Sequence, residues 1–295
     1  MANTLNGVNL GLVAQRSVPP LKRALFVVNN FFNDFSDEIV QPGASITTRV
    51  PVLGSTSDFT SGITLSNAQT NSITVTLSQE QGYAVGFTNA EVTKSAINLT
   101  NLFEEPAMWA VARNITDTAL SLFTAANYSG NKVVALSSFN GDVVANLAMQ
   151  LTQADVPDDG NRWLLLSPAA YAQLAQDQGI KYAYAYGSNS VIMDNRIPKV
   201  HGFTVGTYNG IPDPDSVGMF GIAGYKNGVV IASRKLAEPD YWFGQTEYVA
   251  EDESRLNVQL QYFYDGMSKK NILAAETLYG VSVGVAANCI RLTTS

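Results

Sequence analysis

A chain of 295 residues can hold one large domain or two moderate ones around an ample core. Its residues are 46% apolar and only 15% charged, with a net charge of −7, where about a quarter charged is usual. That balance excludes a phosphate-tracking basic groove, since no basic run exceeds a pair such as Lys269-Lys270, and it points to surface covered by other subunits.

A neutral β-rich monomer is the alternative that composition leaves open. The single cysteine, Cys289, excludes an intrachain disulfide and lies in an apolar segment, as an inert thiol does. Residues 1–13 lack the basic lead-in of a signal peptide, and no apolar run nears the length of a bilayer span. A reducing cytosol and no membrane partner are therefore expected.

Residues 1–42 read as an arm. Weak helical spacing over 4–15 is expected to stop at Pro19-Pro20. Phe26, Phe31 and Phe32 then have few partners nearby in sequence, so this stretch is expected to pack elsewhere, a neighbouring subunit included. Residues 43–80 are more telling: of these 38, fifteen are Ser or Thr and three are charged, Arg49, Asp58 and Glu80. Two β-favouring runs, Ser45-Ile46-Thr47-Thr48-Arg49-Val50-Pro51-Val52 and Ser72-Ile73-Thr74-Val75-Thr76-Leu77, flank a turn-rich middle at 54–62. The pattern predicts an extended two-stranded ribbon with too little apolar surface for a core of its own. An isolated hairpin is marginal in water, and its backbone edges are a template for another chain. Val50, Val52, Phe59, Ile73 and Val75 are thus expected to be buried against a neighbour. Arg49 is expected at the same subunit interface, either paired with an acid there or solvated.

Beyond the ribbon, Tyr83-Ala84-Val85-Gly86-Phe87 alternates as a half-buried strand does. Over 102–126 the apolar residues Met108, Val111, Ile115, Ala119, Leu122 and Phe123 recur at three and four. They predict a helix ~37 Å long, with Glu104 and Glu105 at its positive end. Residues 131–228 have an α/β cadence. Val143, Val144, Leu147 and Leu151 share a helix face, and Trp163-Leu164-Leu165-Leu166 reads as a buried strand. Ser167 and Pro168 open a helix that Gly179 closes. Strands follow at 202–205 and 217–222, and Asn227-Gly228 predicts a hairpin into Val229-Val230-Ile231. Residues 229–295 are β-rich, with Leu256 to Tyr264 alternating.

Catalytic patterns are weak. His201 is the only histidine and has no second ligand at metal spacing. Gly280-Val281-Ser282-Val283-Gly284 matches a nucleophile elbow in letters, but it lies in a β-like run with the histidine before it, so Ser282 reads as a strand serine. Glu251-Asp252-Glu253 lacks the alternating oxygens of a calcium loop, and Asp213 and Asp215 read as solvated loop acids. No phosphate loop or dinucleotide fingerprint is present. No cofactor, metal or catalytic set is expected, and a carboxylate-based enzyme stays as the rival of another class.

The order of parts resembles the major capsid protein of tailed double-stranded DNA bacteriophages, nearest to the coat proteins of short-tailed phages. The likeness rests on Gln41-Pro42-Gly43-Ala44-Ser45-Ile46-Thr47-Thr48-Arg49-Val50-Pro51, on Arg162-Trp163-Leu164-Leu165-Leu166-Ser167-Pro168-Ala169-Ala170-Tyr171, and on Leu278-Tyr279-Gly280-Val281 near the end. It implies an α+β fold with an arm (1–42), an extended β-ribbon loop (43–80) and a peripheral domain with a spine helix (81–130). A central axial α/β domain (131–228) and returning strands of both domains (229–295) complete it. It also implies a homo-oligomer of pentamers and hexamers in an icosahedral virion shell, assembled in the host cytoplasm and enclosing DNA without reading its sequence. The chain has room for neither an inserted domain nor a cleaved scaffold, so a separate scaffolding protein is expected beside a portal, and a cement protein stays open. An encapsulin-type nanocompartment shell shares the fold and is the nearest alternative.

Overall fold

The run Trp163-Leu164-Leu165-Leu166 has no polar alternation, and the computed structural model shows it buried on both sides. The structure describes residues 10–34, 45–51, 60, 70–95, 99–180, 197, 199–237, 244–250 and 256–294. The first elements are α1 (Leu10–Ala24), α2 (Phe26–Phe31), β1 (Asn33–Asp34), β2 (Ser45–Pro51), β3 (Thr70–Thr76) and β4 (Gln79–Thr88). Next come α3 (Asn89–Lys94), α4 (Leu99–Leu120), β5 (Asn131–Val133), α5 (Gly141–Gln153), β6 (Arg162–Leu166) and α6 (Pro168–Gln176). Then β7 (Lys199–Val200), β8 (Phe203–Thr207), β9 (Met219–Tyr225) and β10 (Val229–Arg234) follow. The last are β11 (Gln245–Ala250), β12 (Asn257–Asp265), β13 (Lys270–Val283) and β14 (Cys289–Thr293).

Among the described residues three sheets result, and with the helices they make an α+β fold. The first has the order β1-β10-β13-β12-β11, with β4 also paired to β13. The second has the order β5-β14-β9-β6-β8-β7, and the third is the β2-β3 ribbon. One core lies among α1, α2, α4, the first sheet and one face of the second, where Trp163, Leu165, Ile222 and Cys289 sit. Another lies on the opposite face, where Leu164, Leu166, Phe203 and Leu292 meet Val144 and Leu147 of α5 and Ala170 and Leu174 of α6. Successive strand residues point to opposite faces, so alternate residues of β6 feed the two cores. A strand covered on both faces has no need of polar alternation. Asn140 caps α5 by accepting from the Val143 N–H, and Ser167 caps α6 with Pro168 following.

Several expectations change. α1 runs through Pro19 and Pro20 instead of stopping there. The two missing N–H groups would have bonded the carbonyls of Gln15 and Arg16, which are exposed positions, while Leu21 and Leu25 anchor the far side in the core. The aromatics of the arm pack within the chain: Phe31 stacks on Trp163 at 5.2 Å and Phe32 meets it edge-on at 6.1 Å. They cover the face of the second sheet that carries Trp163. α4 begins one turn before the expected start, leaving Glu104 and Glu105 in its second turn, away from the dipole end. Asn227-Gly228 makes a turn, with the Gly228 N–H bonding the Tyr225 carbonyl. The strands on either side join different sheets, so it is no hairpin. α6 ends at Gln176, before Gly179. β4 is mostly exposed, with only Phe87 buried.

Candidate assembly surface

β2 and β3 pair antiparallel in the register Ser45↔Thr76 through Pro51↔Thr70. Seven residues at about 3.4 Å each carry each strand roughly 24 Å. Directly opposed residues share a face, so Ile46 and Val75 form an inward pair, while Thr47 and Thr74 on the other face bond hydroxyl to hydroxyl at 3.0 Å. Arg49, opposite Ser72, is on that outer face and exposed.

The inner face has a seat within the same chain. Ile46, Ile73, Val75 and Leu77 are buried against Val230 and Ala232 of β10, with Leu278 of β13 packed beside them. Fully burying such a side chain contributes about 1.5–3 kcal/mol. Ile73 and Val75 therefore have their burial supplied by β10 and β13, and are not free to bury against a neighbour. Their alternation in the sequence showed that one face is buried, but not by what. Gly280 makes the seat possible, because a Cβ there would fall 2.2 Å from the Thr76 carbonyl oxygen. Val50 lies opposite Asn71 in the ribbon. Val52, Phe59 and all of 54–62 except Thr60 lie outside the described residues.

A second surface was not legible as such in the sequence. Where β12 turns into β13, Asp265 pairs with Lys270, and Lys270 pairs with Thr88 at the end of β4. α3 follows directly, tied back by the Asn271 side-chain amide donating to Asn89 Oδ1 at 3.0 Å. This end of the sheet exposes Tyr264, Val92 and Met267, the last 97% exposed. The turn that presents Met267 is fixed: Asp265 accepts from the Met267 and Ser268 N–H groups, and the Ser268 side chain, followed by the Met267 N–H, holds its carboxyl below the usual range. α4 adds exposed Leu102 and Trp109 on its outer side, although its inner side fills the core with Met108, Val111 and Ile115. Leu102 and Trp109 are thus large apolar side chains that this chain leaves uncovered, beside exposed Glu105 and Arg113.

The residues with catalytic potential have structural places. His201 sits in a turn with φ 47°. Ser282 pairs with Val230 inside the first sheet. Cys289 is buried, and desolvation pushes its thiol up to about 12, so it carries no reactive thiolate. Asp213 accepts from the Val217 and Gly218 N–H groups. Asp215 is not a solvated loop acid: it accepts from Arg291 Nη1 at 2.7 Å and from the Ala125 N–H at 2.6 Å. Glu251, Asp252 and Glu253 lie outside the described residues. Among the described residues, no three His, Cys, Asp or Glu side chains converge as a metal site would require.

Between α1 and α4 the carboxyl of Glu104 is buried. Ser17 Oγ lies 2.8 Å from its Oε1 and 2.9 Å from the Val13 carbonyl oxygen. Nearby at the surface, Arg23 approaches Glu105 at 3.9 Å.

No curated protein is significantly similar to the chain in sequence. The fold is shared with solved phage heads. The capsid of cyanophage P-SCSP1u superposes with a TM-score of 0.65 at 12% identity, covering 90% of this chain and 87% of that one. The structure of Mycobacterium phage Che8 gives 0.62 at 13% identity and 90% of both chains. A virus-like particle from Pyrococcus furiosus gives 0.52 at 10% identity, with 94% and 98% covered. The sequence profile described as phage capsid protein matches residues 61–266, well over half the chain, and the nanocompartment alternative has no such support. The chain therefore belongs to the phage capsid protein family, as a structural protein of the phage capsid.

Proposed function

We propose that copies of this subunit close as pentamers and hexamers into an icosahedral head around double-stranded DNA, each ribbon laid across the next subunit. The observation that carries this reading is the ribbon itself, a sheet of its own whose base is seated on β10 and β13 and whose outer face is exposed. Arg49, Val50, Val52 and Phe59 are the ribbon residues assigned to the neighbour, with Arg49 facing one of its acids. The exposed apolar side chains on α3, α4 and the β12–β13 turn are the surface left to be covered. The subunit acts through geometry and interface burial, without catalysis. It assembles in the host cytoplasm on a separate scaffolding protein, around a portal. The net charge of −7 keeps the enclosed DNA unbound, since a repulsive wall does not immobilise its contents.

Deleting residues 54–62 tests the reading. The variant is expected to remain a folded, soluble subunit that forms no closed shells by negative-stain electron microscopy, in the presence of its scaffold. Intact particles from that deletion would refute the ribbon's role.

A further inference from the structure

The contact that closes α1 onto α4 has one hydrogen too few for an ionised carboxylate. Ser17 Oγ is within hydrogen-bond distance of two oxygens, the Val13 carbonyl at 2.9 Å and Glu104 Oε1 at 2.8 Å. Ser17 is wholly buried and Glu104 is 5% exposed. A serine hydroxyl has one hydrogen, and a carbonyl oxygen can only accept. If that hydrogen goes to Val13, the second contact is a bond only when Glu104 keeps its own proton and donates it to Ser17 Oγ. If it goes to an ionised Glu104, the serine oxygen faces the Val13 carbonyl with no hydrogen between them. The neutral acid satisfies both contacts. The anion satisfies one, and among the described residues it has no ion-pair partner.

We propose that Glu104 is a proton-held latch: protonated, it clasps α1 to α4, and its ionisation loosens α1, so the docking of this helix answers to pH. The inference rests on the subunit alone and not on the assembly reading, so either can fail without the other. Burial pushes the Glu104 carboxyl above its ordinary range. The Ser17 hydrogen bond and Arg16 on α1 oppose that rise, and neighbouring Glu105 adds to it. β4 brings Glu80 and Tyr83 to α4, and β13 brings Lys270, Glu276 and Tyr279, none of which perturbs the group. On the far side of α1, β11 carries Glu247 and Tyr248.

The sign follows from linkage. Docking raises the carboxyl above its ordinary value of 4.5, so the latch holds fully below that value and is lost as pH rises through the docked-state value. Between the two, the opening constant of α1 rises up to about tenfold per pH unit and then levels off.

Hydrogen exchange of α1 amides, corrected for intrinsic rate at each pH, reads this directly on the wild-type subunit and on Glu104→Gln. A glutamine amide donates to Ser17 Oγ as the neutral acid does. Wild-type protection is expected to fall by up to about tenfold per unit above pH 4.5 before levelling. Protection in Glu104→Gln is expected to stay flat, and above the wild type at the alkaline end. Matching profiles in the two proteins would overturn the latch. Infrared spectroscopy of the wild type alone gives a second reading should the variant fail to fold. A protonated-carboxyl band that titrates above the other carboxylates, together with α1 exchange, supports the latch; all carboxyls titrating in the ordinary range refutes it.

Discussion

Arg291 is 4% exposed, and everything its guanidinium needs is brought to it from elsewhere in the chain. Its Nε donates to the Tyr128 carbonyl and its Nη1 to Asp215. Asp215 also receives the Ala125 N–H, so one carboxylate ties the turn after α4 to β14. Removing one partner of a buried pair leaves an uncompensated charge and typically costs 3–5 kcal/mol. Asp215 is itself partly exposed, so Asp215→Ala is expected to destabilise the subunit by about 3 kcal/mol, read as a lowered urea midpoint at unchanged slope. The sequence could not announce this pair. In Ile211-Pro212-Asp213-Pro214-Asp215 both acids look like loop residues, and the partner lies 76 positions away. Short-range signals were legible for the opposite reason: Ser167 caps its helix through an N–H group three residues on. Cys289 and Ser282 were legible as inert because apolar neighbours in sequence remain neighbours in a strand.

At the level of elements, the seat of the ribbon depends on a missing side chain. β3 crosses β13 so closely that any Cβ at Gly280 would collide with the backbone at Thr76, and backbone cannot swing aside as a flexible side chain does. Gly280→Ala is expected to cost the subunit about 1–3 kcal/mol, the usual penalty of overpacking, and to lower the yield of closed shells under the microscope. Wild-type stability and yield would mean that the ribbon base can shift freely. The paired strands were legible from alternating Ser/Thr and β-branched residues. Their burial on their own chain was not, because alternation reports a covered face and not the element that covers it. The same limit explains the arm, whose aromatics pack on Trp163, more than 130 residues away in the chain. The helix through Pro19-Pro20 was hidden because local rules weigh the lost N–H groups and miss the anchoring by Leu21 and Leu25.

Across the whole molecule, the shortage of charge and the surplus of exposed apolar side chains have one explanation in a shell, where neighbouring copies bury what a monomer would leave wet. Met267 offers the cleanest test, because it touches little in its own chain. Met267→Asp is expected to leave subunit stability within about 0.5 kcal/mol of wild type, while sedimentation shows unassembled subunits in place of shells. Normal shells would remove this turn from the interface. The order of parts was legible from the sequence because apolar periodicity separates ribbon, spine helix and α/β unit. The switch of sheet between β9 and β10 was not, since Asn227-Gly228 carries the same local signal whether its flanking strands pair or part.

The positions of β13 and β14 also bear on the order in which the chain can mature during synthesis. β14 lies between β5 and β9, and β13 joins β4, β10 and β12, so each large sheet lacks an internal strand until residues 270–293 have left the ribosome. Pairing that spans such distances is slow and comes late. A prematurely terminated polypeptide therefore has two gaps where the missing strands belong, and it is barred from the growing particle by its own incompleteness. No copy becomes competent before residues 270–293 are made, which screens out shorter products without any dedicated proofreading.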